Sequence, residues 1–295
     1  MLDLIVVPLD GSHFSEQALP LATRLCTQSG ARLLLVRAAV TSSGMIVTNA
    51  SAARIAAARL AAVLETAEEE LSAVVERLKA EGLEVMGHAE AGMPAEVILT
   101  QARERGAGLI VMSTHGRSGI SRYLYGSVAD ELLRQSDVPI VLVPPDCAWT
   151  WPVERRPRVM VTLDGSRLAE AALPPAAAVA QAMGADVLLL HVADPADGSA
   201  VVWILDGEGT AMSYLEATAE RLRAQGLEVA VQETAGHLAR AIRRTAREEN
   251  VDVIAMATHG RGGAARVVLG SVATGVLRHT NVPLLVVRPV GLAAE

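Results

Sequence analysis

The sequence predicts an α/β fold of two tandem, doubly wound domains, each built on a five-stranded parallel sheet. Three observations predict it. The length of 295 residues suits about two domains at roughly 100–200 residues each. Short apolar, β-branched segments alternate with helical patterns, the signature of a parallel sheet covered on both faces. The chain also repeats itself. VPLDGSHFSEQAL at 7–19 returns as VTLDGSRLAEAAL at 161–173, and residues 107–143 match 251–287 at 17 of 37 positions.

Each element follows in order. Residues 4–9 form an apolar run that reads as a strand. Residues 15–30 have helical spacing and end at Gly30, with Pro20 expected to kink the helix. Residues 32–38 are apolar again. Residues 52–81 make a long Ala/Leu/Glu helix closed by Gly82, an amphipathic cover. A weaker strand at 85–89, a helix at 94–106, a strand at 109–113, a helix at 128–135 and a strand at 139–143 complete the unit. The second unit repeats the order, with Pro174 as its expected kink. It is ten residues shorter between Asp164 and Gly260 than the first is between Asp10 and Gly116, a difference expected in a loop or helix end. Residues 144–157, with four prolines and a charge cluster, read as the linker, so the domains are expected at 1–146 and 155–295. Residues 139–143 and 283–287 would be sheet edges, and an uncovered apolar edge invites pairing. The two units are therefore expected to pack as a pseudo-twofold pair through them.

Composition narrows the function classes. Hydrophobic residues make up 51% of the chain and aromatics 2%, so Ala, Val, Leu and Ile fill the cores. That content excludes a disordered chain. Cys26 and Cys147, the two cysteines, are too few for a disulfide framework or a cysteine-rich zinc site. A net charge of −7 argues against nucleic acid or an anionic membrane as partner. The N-terminus lacks the basic and long apolar regions of a signal peptide. No apolar run approaches the roughly 20 residues that span a bilayer. A cytoplasmic protein is expected.

In doubly wound sheets, ligands bind beyond the carboxyl ends of strands where the winding reverses. That rule brings Asp10-Gly11-Ser12, after strand one, opposite Met112-Ser113-Thr114-His115-Gly116, after strand four. The second motif continues as Gly116-x9-Gly126-Ser127-Val128, repeated as Gly260-x9-Gly270-Ser271-Val272. Glycine lets a backbone approach a ligand, and a Gly-Ser pair opening a helix offers N–H groups and a positive dipole end. Arg117 and Arg261 add charge. These are the parts of a phosphate cradle. The plainer reading makes Ser12 and Ser166 helix caps, Asp10 a turn residue, and His115 and His259 packed or loop-bonded side chains. No HxxxH or HExxH metal spacing occurs, nor GxxxxGK[ST], nor GxGxxG after the first strand, nor SGGxDS.

VPLDGS with SEQAL, THGRSG…GSVA and VPIVLV, echoed by VTLDGS, AEAAL, THGRGG…GSVA and VPLLVV, resembles the universal stress protein family in tandem. The resemblance implies the adenine nucleotide alpha hydrolase-like fold with strand order 3-2-1-4-5. It implies ATP as ligand, with Asp10 and Asp164 approaching ribose, phosphates or a metal such as Mg²⁺. It implies that Gly116, Gly126 and Ser127, with Gly260, Gly270 and Ser271, hold phosphates. Backbone at Ala38 and Val192 would meet adenine, and Met112 and Met256 the nucleoside. The family's first motif glycine is Ser113 in one copy and Ala257 in the other, which would strain a backbone needing positive φ.

The expected function is that of a stress-linked nucleotide sensor or regulator. No general base is evident, so binding is favoured over turnover and no catalytic residue is assigned. The alternatives are a nucleotide-free scaffold for a protein partner, or a slow ATPase that modifies its own Ser127 or Ser271. A homodimer of whole chains is compatible with each.

Overall fold

A computed structural model describes residues 2–40, 50–114, 126–145, 147, 150–194, 210–258 and 269–289. The first unit runs β1 (Leu4–Pro8), α1 (His13–Glu16), α2 (Leu19–Ser29), β2 (Arg32–Ala39), α3 (Ala50–Ala80), β3 (Val85–Ala91), α4 (Pro94–Glu104), β4 (Leu109–Ser113), α5 (Ser127–Gln135) and β5 (Ile140–Val143). The second runs β6 (Arg158–Thr162), α6 (Arg167–Glu170), α7 (Leu173–Met183), β7 (Asp186–Ala193), α8 (Ala211–Arg223), β8 (Val229–Ala235), α9 (Leu238–Glu248), β9 (Val253–Ala257), α10 (Ser271–Leu277) and β10 (Leu284–Val287).

The strands form one ten-stranded sheet ordered β3-β2-β1-β4-β5-β10-β9-β6-β7-β8. Each half has the expected 3-2-1-4-5 order with parallel pairs. The halves join antiparallel, Leu284 opposite Leu142, Leu285 opposite Val141 and Val286 opposite Ile140. Strand alternation divides the core into two layers. Ile5, Val7, Leu33 and Leu35 pack under α2 and α3, whereas Leu4, Val6, Leu34 and Val36 pack under α4 and α5. Each layer runs unbroken into the second half.

Two helix expectations are corrected. Residues 15–30 do not form one kinked helix. Ser12 caps the short α1, and α2 starts afresh at Leu19 with Pro20 in its first turn. Proline's missing N–H is harmless there, because first-turn N–H groups have no helical partner. Pro174 plays the same part in α7. The ten-residue difference falls in one crossover. Between β2 and β3 lie 45 residues, and between β7 and β8 lie 35.

The linker is pinned. Arg155 forks onto Asp252 at 2.7 and 2.8 Å, and the guanidinium of Arg24 lies 4.3 Å from the Trp151 ring centroid. Arg288 beside β10 also pairs with Asp137 beside β5, across the joint. No helix among the described residues is long and apolar enough to cross a membrane.

Candidate functional site

At the carboxyl ends of β1, β2 and β4 the winding reverses and a cavity of about 700 Å³ opens. Its position follows from the sheet. β1 is central between β2 and β4; the connections through α2 and α3 cover one face and those through α4 and α5 the other, and the chain leaves β1 and β4 in opposite directions. The long α3 roofs one side with Ala62, Val63, Thr66 and Ala67, and α4 closes the other with Pro94 and Ile98.

The turn after β1 is built by Asp10, Gly11 and Ser12. Asp10 Oδ1 accepts from Ser12 N at 2.9 Å and from Ser12 Oγ at 2.6 Å. Ser12 Oγ in turn accepts from Ser15 N at 3.2 Å, capping α1. Gly11 takes φ +79°, a left-handed value that a β-carbon disfavours. The second half reproduces the turn. Ser166 N and Oγ donate to Asp164 Oδ1 at 3.0 and 2.6 Å, and Gly165 takes φ +81°. The cap reading of the serines and the ligand reading of the aspartates are thus compatible, since each serine caps its helix and also donates to its aspartate.

Opposite this turn, Gly126 precedes α5. Its N–H donates to the Thr114 carbonyl at 2.8 Å, drawing the helix start against the end of β4. Gly126 has no side chain to cap α5, so first-turn N–H groups, which the helix itself leaves unserved, open toward the cavity. Gly270 makes the same bond to Thr258 at 2.9 Å. A β-carbon at Gly270 would fall 2.9 Å from the Thr258 carbonyl oxygen, against an ordinary 3.5 Å at Gly126 and Thr114.

Of the residues singled out by sequence, Asp10, Ala38, Met112, Gly126, Ser127 and Val128 all line the cavity. Asp164, Val192, Met256, Gly270, Ser271 and Val272 occupy the matching places around the ends of β6, β7 and β9 and the start of α10. Gly116, Arg117, Gly260 and Arg261, with His115 and His259, lie outside the described residues. Ser113 and Ala257 end β4 and β9, and among the described residues Asn250 is the only non-glycine with positive φ. The strain expected where the motif glycine is replaced is therefore absent at these two positions.

Sequence reasoning missed Arg37. This buried arginine lines the cavity from β2 and pairs with Glu70 of α3. Its guanidinium covers Gly11, where a β-carbon would lie 2.7 Å from Nη1. The available signal was an arginine inside the apolar strand LLLVRAA, where the second copy reads LLLHVA. In the second half His191 holds that place, its Nδ1 donating to the Leu163 carbonyl at 3.1 Å. Tyr214 of α8 stands where Glu70 stands in α3. Burial and the Glu170 carboxylate push its phenol up, so the hydroxyl stays protonated and donates to Glu170 Oε1 at 2.9 Å. One tie recurs in both halves: Arg77 with Glu16, and Arg221 with Glu170, each fastening the cover helix to the short helix after the aspartate turn.

A universal stress protein of Mycobacterium tuberculosis (strain H37Rv) is 26% identical over 190 residues, 62% of this chain and 62% of that relative. The chain thus spans less than two thirds of that relative's length. Universal stress protein YxiE of Bacillus subtilis is 27% identical over 158 residues, covering 48% of this chain and 99% of the relative. A crystal structure of a universal stress protein from Archaeoglobus fulgidus superposes with a TM-score of 0.70 at 22% identity, over 97% of this chain and 96% of that one. That likeness extends the fold across both halves. The model of the universal stress protein family matches residues 1–144 and 156–288, so the chain belongs to that family.

Proposed function

We propose that the chain binds an adenine nucleotide, ATP in the first instance, in the crevice of each domain, 1–146 and 155–295. In this reading it is a nucleotide-responsive regulator within a stress response. One observation carries it: a cavity of about 700 Å³ at the winding reversal, with Asp10, Ala38, Met112, Gly126, Ser127 and Val128 in its lining. Small-molecule sites have volumes of roughly 300–1,000 Å³ and favour this position in α/β sheets. The lining is largely apolar, as a base requires, with polar groups at Asp10 and Arg37, at Thr66 of α3, at the end of β4 and at the start of α5.

Asp10 is the one carboxylate among the described lining residues, and its Oδ1 is engaged by Ser12. That favours binding over hydrolysis, because an activating base would need a free acceptor aimed at water. Mg²⁺ usually takes one or two carboxylates plus phosphate oxygens. One aspartate per site fits that donor set, with Asp10 and Asp164 as its holders and charge neutralisation as its contribution. Among the described residues no three His, Cys, Asp or Glu side chains gather into a cage of their own.

The test is to denature the purified full chain and identify any released nucleotide, then to titrate stripped protein with ATP. Adenine nucleotide in the supernatant, or saturable ATP binding, supports the reading. Stripped protein indifferent to millimolar ATP overturns it and leaves the scaffold alternative.

A further inference from the structure

The two copies preserve the aspartate turn and the Arg–Glu tie but differ behind the turn. In the first, a buried guanidinium on β2 faces a carboxylate on α3. In the second, an imidazole on β7 and a phenol on α8 hold the matching places. Arginine is charged at every accessible pH, whereas histidine carries no obligatory charge. Arg37 is also the one cationic side chain among the described residues that line the cavity. A buried charge keeps its partner unless a better one arrives. Glu70 is half-exposed on the cover helix, so it is a partner that water can readily take over.

The geometry points to Arg37 as the residue that makes the first crevice selective for phosphate-bearing ligands over the bare nucleoside, with Glu70 as the competing carboxylate. This rests on the nucleotide reading above. A guanidinium lying over Gly11, next to Asp10, supplies positive charge on the β2 flank of β1, whereas the α5 N-terminus follows β4 on the other flank. An anionic ligand between the two is then attracted from both walls. A charge-assisted contact with a phosphate is worth more than a neutral one, and more so where water is excluded. The second crevice, with His191 and Tyr214, lacks that fixed charge and discriminates less between nucleotide and nucleoside.

The experiment uses the full chain carrying Gly270→Val, which drives a side chain into the Thr258 carbonyl and leaves the first crevice to report. ATP and adenosine are titrated calorimetrically into this background, alone and with Arg37→His or Glu70→Gln. Histidine is already accommodated at the matching position of the second copy, so Arg37→His is compatible with the fold. ATP affinity should fall about tenfold in Arg37→His while adenosine stays within about twofold. Glu70→Gln, which removes the competitor, should hold or raise ATP affinity without changing adenosine. Equal losses for both ligands, or no loss for ATP, would overturn the assignment of Arg37 alone. A Gly270→Val parent that binds neither ligand would overturn the nucleotide reading of the first crevice along with it.

Discussion

At Gly11 two constraints coincide. The backbone sits at φ +79°, and the space a β-carbon would need is held by the Arg37–Glu70 pair. Gly82, at φ +86°, has the same backbone requirement with nothing within 4 Å of a β-carbon. Alanine at Gly82 should cost about 1 kcal/mol, the left-handed penalty alone. Alanine at Gly11 should cost about 1–3 kcal/mol and weaken ATP binding, and paired denaturant titrations compare the two. A different residue reports on pH. Burial pushes the Cys26 thiol from 9.0 up to about 12. A folded value above the unfolded one means stability is complete below pH 9 and declines as pH rises from there to about 12. The slope is about 1.4 kcal/mol per pH unit. Cys26→Ala should lose that share of the alkaline decline, seen as a shallower fall of Tm with pH. In native protein a thiol reagent should modify the partly exposed Cys147 while sparing Cys26.

At the scale of elements, the joint between β5 and β10 matters most. Both are four-residue, fully buried strands, and each supplies the other with the backbone partners that an edge lacks. In the full chain, amides around Val141 and Leu285 should exchange far more slowly than those along β3, which lies at the sheet's outer margin. Leu285→Pro removes a donor from the centre of the sheet. It should speed exchange at Val141 and expose the linker to proteolysis, both read by mass spectrometry. The strands were legible in sequence because apolar runs such as LIVV and LLLV can only be buried on both faces. The candidate site was legible because its aspartate turn and Gly-Ser helix start are local motifs, said twice. The break between α1 and α2 was not, because periodicity runs smoothly through residues 17–18 and only the Ser12 cap and the first-turn proline divide it. The Arg37–Glu70 pair was hidden for a different reason. Its members sit on separate elements, and nothing local to either announces the other.

For the whole molecule, ligand binding should appear as stability. A ligand that binds only the folded state contributes RT ln(1 + [L]/Kd), about 2.7 kcal/mol at roughly 100 Kd. ATP should therefore raise Tm, and the Asp10→Ala, Asp164→Ala pair should shrink that rise. The sheet also carries a directional consequence. Strands within each half are parallel, but the halves meet antiparallel at β5 and β10. The carboxyl ends that frame Asp10 thus point the opposite way from those that frame Asp164. Followed along the ladder, the two aspartate turns lie at opposite edges of one continuous sheet. The two turns thus belong to separate surfaces, and substitutions at Asp10 and at Asp164 report on different edges of the sheet.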